Sequence, residues 1–162
     1  MVYEDYEQRA EALFRAGYNC AQAVFLAFAA ERMDRAEAAR LASAFGGGLA
    51  GMRTVCGTLS GAAMAYGLLR GYSDPLDKGA KRREYEAVRE MAEEFERLNG
   101  SIVCRELLGL DRNVRYVPPS DRSAEYYKKR PCPRLCACAA GILARYLEAH
   151  PEVPGDSMGA TT

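Results

Sequence analysis

Apolar positions along the chain recur at helical intervals and are broken repeatedly by glycine and proline. Tyr6, Ala10, Leu13 and Phe14 form one stripe, which predicts a helix over Tyr3–Arg15 with that stripe turned inward. Gly17 fits the left-handed stop that follows such a helix. Asn19 suits an N-cap, so a second helix is predicted over Cys20–Arg32, opening on a cysteine. Its Val24, Phe25, Leu26 and Phe28 stand among alanines, apolar nearly all round, which marks the central buried helix. A third, Arg35–Phe45, runs into the glycine-rich turn Gly46-Gly47-Gly48-Leu49-Ala50-Gly51. Beyond Cys56, the spacing Gly57, Gly61, Ala65 leaves one face of a fourth helix nearly bare, so a close neighbour is expected there.

That fourth helix ends near Gly71, and Ser73-Asp74-Pro75 is a turn. The most charged helix runs over Asp77–Leu98, with Tyr85, Val88, Met91, Ala92, Phe95 and Leu98 as its buried edge; Asn99-Gly100 stops it. Ser101 is placed to cap a short helix, Ile102–Leu108, with Cys104 in its first turn. Leu110–Arg130 lacks periodicity, contains Pro118-Pro119, and reads as an irregular crossing loop. Tyr116, Tyr126 and Tyr127 are read as clamps on that loop, with a position over a site as the alternative. The last helix opens at Pro131-Cys132-Pro133, Pro133 at its first position, and continues to about Ala149. A tail from Pro151 is expected to fray.

The expected architecture is therefore all-α: one bundle of five to six helices over 1–150, with a tail at 151–162. Runs of alternating β-branched residues are missing, which argues against a substantial sheet. Basic and acidic residues balance at 22 each, so no net field points to nucleic acid or an acidic membrane. The acidic, amphipathic start is unlike a secretory signal. Apolar runs such as Ala23–Ala30 and Ala62–Leu69 are far shorter than the roughly 20 residues a bilayer requires. A cytoplasmic location without membrane insertion is the expectation. In that reducing compartment, six cysteines point to metal or redox chemistry more than to permanent disulfides.

Four of them, Cys20, Cys56, Cys104 and Cys132, fall at or within the first turn of an expected helix. Unpaired N–H groups at that end carry partial positive charge and favour thiolate, the nucleophilic and metal-binding form. Four such ends converging would suit an anionic metal–thiolate centre, with Gly47, Gly48, Gly57 and Gly61 leaving room for inorganic atoms. Against this stands the plainer reading of buried cysteines as small hydrophobes. No CxxC pair exists, so a zinc ribbon is not indicated. Cys136 shares the face of Cys132 one turn on and is read as a packed neighbour ahead of a resolving thiol or spare ligand; Cys138 is assigned to the core. Arg53 is read as solvated, with compensation of cluster or substrate charge as the alternative.

GYNCAQAV at Gly17–Val24, FGGGLAG and CGTLSGAAMAYG between Phe45 and Gly67, CRELLGLD at Cys104–Asp111 and CPRLCACAAGIL at Cys132–Leu143 carry a resemblance. In order, and across nearly the whole chain, they resemble the C_GCAxxG_C_C family of redox-active proteins. The resemblance implies four functional cysteines, here Cys20, Cys56, Cys104 and Cys132. The family's central cysteine-glycine-alanine-x-x-glycine motif stands here as Cys56-Gly57-Thr58-Leu59-Ser60-Gly61. Thr58 departs from it and adds a hydroxyl close to Cys56. Selenocysteine in some members implies redox reactivity rather than a purely structural site.

Other chemistries find little support. Gly46–Gly51 matches GxGxxG, yet what precedes it looks helical, whereas dinucleotide binding requires a strand there. The only histidine, His150, closes the last helix, which leaves Ser-His-Asp and Cys-His catalysis without a base. Three readings stand: an iron–sulfur cluster passing electrons, a thiol–disulfide protein with no cofactor, and a structural zinc module. The first two require an electron donor or acceptor protein as partner, and a homodimer is admitted.

Overall fold

The computed structural model describes residues 2–152. The last ten positions of the expected tail lie outside the described residues. Eight α-helices follow in order: α1 (Tyr3–Arg15), α2 (Cys20–Ala29), α3 (Arg35–Ala42), α4 (Gly57–Arg70), α5 (Lys78–Asn99), α6 (Cys104–Leu107), α7 (Ala124–Lys129) and α8 (Cys132–Ala149). Among the described residues no strand forms; the one trace of β pairing is an antiparallel bridge between Val55 and Val103. The described residues are all-α, with six helices of seven residues or more.

Local chemistry explains most boundaries. At the end of α1 the Gly17 amide bonds the Phe14 carbonyl and the Tyr18 amide bonds that of Leu13, with Gly17 at φ +108. That is the paired closure glycine permits. Asn19 and Gln22 form a reciprocal capping box at the start of α2, which releases Cys20 into the first helical position. Helix α2 stops at Ala29, short of the expected Arg32, and Asp34 caps α3 through the Ala36 and Glu37 amides. The expected third helix is α-helical only to Ala42; a 3₁₀ turn, Ser43–Phe45, finishes it. Gly100 at φ +88 ends α5.

Helix α2 is the spine. Every residue from Ala23 to Ala29 is buried, with α1 and α4 packed along it and α8 closing the bundle against α1, α4 and α5. Phe14, Phe95, Leu135 and Leu143 are fully enclosed, and each contributes about 1.5–3 kcal/mol relative to exposure. The bare face of α4 meets α2: a Cβ on Gly61 would lie 2.5 Å from the Ala21 carbonyl oxygen. On α5, Met91 and Phe95 are buried as expected, but Tyr85 is 59% exposed and Leu98 45% exposed. Tyr85 stands off the face that Ala87, Met91 and Phe95 bury, and Leu98 lies in the last turn, beyond the cover of the core.

Three further boundaries differ from expectation. Val103, not Ser101, is the N-cap of α6; the Ser101 hydroxyl instead accepts from the Val103 amide and bonds the Glu106 carboxylate. The Leu110–Arg130 loop contains α7, whose start the Ser123 hydroxyl caps. Pro133 occupies the second position of α8, so Cys132 takes the first.

Candidate functional site

Cys20, Cys56, Cys104 and Cys132, which lie on four different elements, line one cavity of about 360 Å³. Cys20, Cys104 and Cys132 are the first residues of α2, α6 and α8, and Cys56 is the N-cap of α4. Two of the four are brought together by a device that helical periodicity does not reveal. Thr54–Cys56 and Ile102–Cys104 run antiparallel, the Cys56 amide bonding the Ile102 carbonyl at 2.8 Å and the Cys104 amide that of Thr54 at 2.6 Å. Because side chains alternate, Val55 and Val103 take one face while Cys56 and Cys104 share the other. Val55 is accordingly 46% exposed, and Cys56 only 5%.

The glycine turn makes room for this arrangement. Gly47, Gly48, Leu49, Ala50, Gly51 and Arg53 all hold positive φ, between +47 and +80. At Leu49, Ala50 and Arg53 the left-handed conformation costs roughly 1–2 kcal/mol per residue, and such strain persists only where surrounding contacts impose it. Gly48 is where α6 arrives: a Cβ there would sit 2.7 Å from the Cys104 Cβ. On Gly57 a Cβ would run into the Cys20 Sγ. Gly47 and Gly57 therefore border the thiols directly, while Gly61 serves the contact of α4 with α2.

The loop before α8 forms the opposite wall. Val117 donates its amide to the Gly51 carbonyl, and the Tyr116 ring lies against Gly51. Arg122 donates to the Phe14 and Tyr18 carbonyls at the end of α1, with its guanidinium 4.2 Å from the Phe14 ring centre. Tyr127 donates its hydroxyl to the Arg15 carbonyl, and Tyr126 lines the cavity. Both proposed tyrosine roles are present, shared between neighbours.

Burial governs the thiols. Desolvation pushes Cys20 up from the ordinary thiol value, against the Gly47 and Ala21 amides that favour its thiolate. Cys56 is pushed up to about 12 by burial and then by the neighbouring Cys20 charge, although the Thr58 hydroxyl, 3.1 Å from its sulfur, opposes the shift. Cys132 also rises to about 12, chiefly by burial. At Cys20, Cys56 and Cys132 the expectation that helix N-termini leave free thiolates is thus corrected: removing a thiolate from water outweighs the dipole of one helix end.

Arg53 was expected in solvent and is only 6% exposed. It donates through Nη1 to the Cys104 sulfur at 3.7 Å and through Nη2 to the Val117 carbonyl at 3.3 Å, while Nε has no partner. Cys136 is fully buried, its sulfur 3.9 Å from the Cys20 carbonyl, a packed neighbour as read. Cys138 is only half-buried and accepts from the Asn99 amide nitrogen, because its face of α8 looks toward α5 rather than the core. Among the described residues no three of His, Cys, Asp and Glu are gathered to hold a single metal ion.

The family model described as Putative redox-active protein (C_GCAxxG_C_C) matches residues 18–146. The chain belongs to that family. No curated protein and no solved structure matches it. The match spans all four cavity cysteines, the glycine turn and the covering loop, so family membership supports redox activity for this chain. Beside the cysteines, the cavity wall contains Arg53, Arg122 and Arg130, of which periodicity gave no sign for the last two. Their only trace in the sequence is a position within, and at the end of, an unusually long loop. No helix among the described residues is long and apolar enough to cross a membrane.

Proposed function

We propose that Cys20, Cys56, Cys104 and Cys132 ligate an iron–sulfur cluster that passes electrons to or from a partner protein in the cytoplasm. The observation that carries this reading is one cavity walled by four thiols from four elements, with the Arg53 cation buried beside Cys104. As free groups Cys20, Cys56 and Cys132 resist ionisation, so they are weak nucleophiles at neutral pH. Coordination deprotonates a thiol outright. A single zinc ion needs its sulfurs about 2.3 Å from one point, and no three donors are gathered for that. Thiols set around a cavity instead suit a cluster whose own inorganic atoms fill the space between them. The cluster would supply one-electron chemistry. The chain's own residues hold the thiolates, offset their charge through Arg53, and exclude water with the loop around Val117.

The test is anaerobic purification followed by iron, acid-labile sulfide and thiol analysis. A brown protein with iron and sulfide, lost on substitution of any one of the four cysteines by serine, is the expected result. Colourless protein without iron after anaerobic reconstitution overturns the reading. If that protein reversibly loses two thiols to mild oxidant, it is a dithiol protein; one equivalent of zinc with redox silence makes it a structural module.

A further inference from the structure

Arg53, Arg122 and Arg130 all line the cavity, and no aspartate or glutamate does. Among the described residues none of the three forms an ion pair. Arg53 is nearly enclosed, with Nε unpartnered. Arg122 is held by two backbone carbonyls, with its guanidinium 4.2 and 4.9 Å from the centres of the Phe14 and Tyr126 rings, which stack on each other. The Arg130 side chain makes one hydrogen bond, to the Ser120 hydroxyl at 3.4 Å, and lies 5.1 Å from the Tyr126 ring centre. Much of the remaining wall is apolar, from Phe14, Leu107, Leu108, Val117, Pro119 and Leu135.

A buried cation without counter-charge, as at Arg53, is costly, and the half-buried Arg122 and Arg130 add two more positive groups to the same wall. Guanidinium forks match carboxylate geometry in a way ammonium groups do not, and an apolar pocket with a few convergent polar groups is the usual form of a small-molecule site. We propose that the cavity binds a small organic anion, a carboxylate carried on an apolar body, with Arg122 and Arg130 receiving the charged end. Calling that anion the substrate rests on the redox reading above; its binding does not.

The experiment titrates the anaerobically purified full chain with benzoate, with its neutral isostere benzamide and with sulfate, by calorimetry or ligand-observed NMR. Benzoate should bind at least about tenfold more tightly than benzamide, the effect of one charge-assisted hydrogen bond. Arg130→Gln should weaken benzoate about tenfold and leave benzamide unchanged. Arg122 also anchors the loop to α1, so Arg130→Gln is the deciding variant and Arg122→Gln the supporting one. Equal binding of benzoate and benzamide, sulfate binding as well as benzoate, or an unaffected Arg130→Gln variant overturns the proposal. Failure of benzoate to bind does the same and leaves the three cations serving the thiol centre alone. Iron and sulfide measured on the same samples report on the cluster separately: iron-free protein that binds benzoate retains this inference and removes the cluster.

Discussion

Arg53 concentrates the tension of the site in one residue. Its backbone sits in the left-handed region at φ +58, and its side chain is buried with one nitrogen unpartnered. The backbone strain is imposed by surrounding contacts whatever the charge, whereas the buried cation costs stability only in the absence of negative charge nearby and becomes tolerable if the thiols become thiolates. Arg53→Met keeps the length of the stem and removes the cation. Urea unfolding of the metal-free variant should match wild type within about 1 kcal/mol, since replacing a poorly compensated buried cation is often near neutral. Iron retained after reconstitution should fall severalfold in the same variant. Equal loss in both measurements would make Arg53 a packing residue only.

At the level of elements, the contact of α2 with α4 places Cys20 against Cys56. Gly61 is where the backbone of α2 comes close, the Ala21 carbonyl and the Val24 side chain occupying the space of a Cβ. Neither obstacle is the free end of a flexible chain, so Gly61→Ala has to push the helices apart. Overpacking of this kind costs typically 1–3 kcal/mol, roughly. Denaturant unfolding should show that loss, and the iron bound by the proposed cluster should drop with it, because α2 carries Cys20 away from the cavity. An alanine variant as stable as wild type would show that the helices separate freely. The Val55–Val103 bridge is a second such element, and nothing in helical periodicity anticipates it. Three residues on each side are too few to show a strand pattern, and the pairing spans nearly fifty positions of chain.

For the molecule as a whole, buried thiols make stability depend on pH. The Cys56 thiol rises from the ordinary 9.0 to about 12 on folding, and Cys132 moves the same way. Above pH 9 the unfolded chain has released these protons and the folded one has not. The stabilisation is therefore complete below pH 9 and is lost as pH climbs toward 12, at about 1.4 kcal/mol per pH unit for each such group. Urea midpoints of metal-free, reduced protein should fall steeply over that window, and Cys56→Ser should flatten the slope; a flat wild-type profile would contradict burial of Cys56. By itself the sequence determined the helical class, the caps at Asn19 and Gly17, the buried spine and the cysteines that open helices, because capping and periodicity are local properties. It misjudged Arg53, the α7 turn, Tyr85 and Leu98 of α5, and the charge state of Cys20, Cys56 and Cys132. Those depend on which surfaces meet across long stretches of chain, and so on how much water each group loses. Only the tertiary structure decided that four helix starts face one cavity and that burial there overrides the field of any single helix.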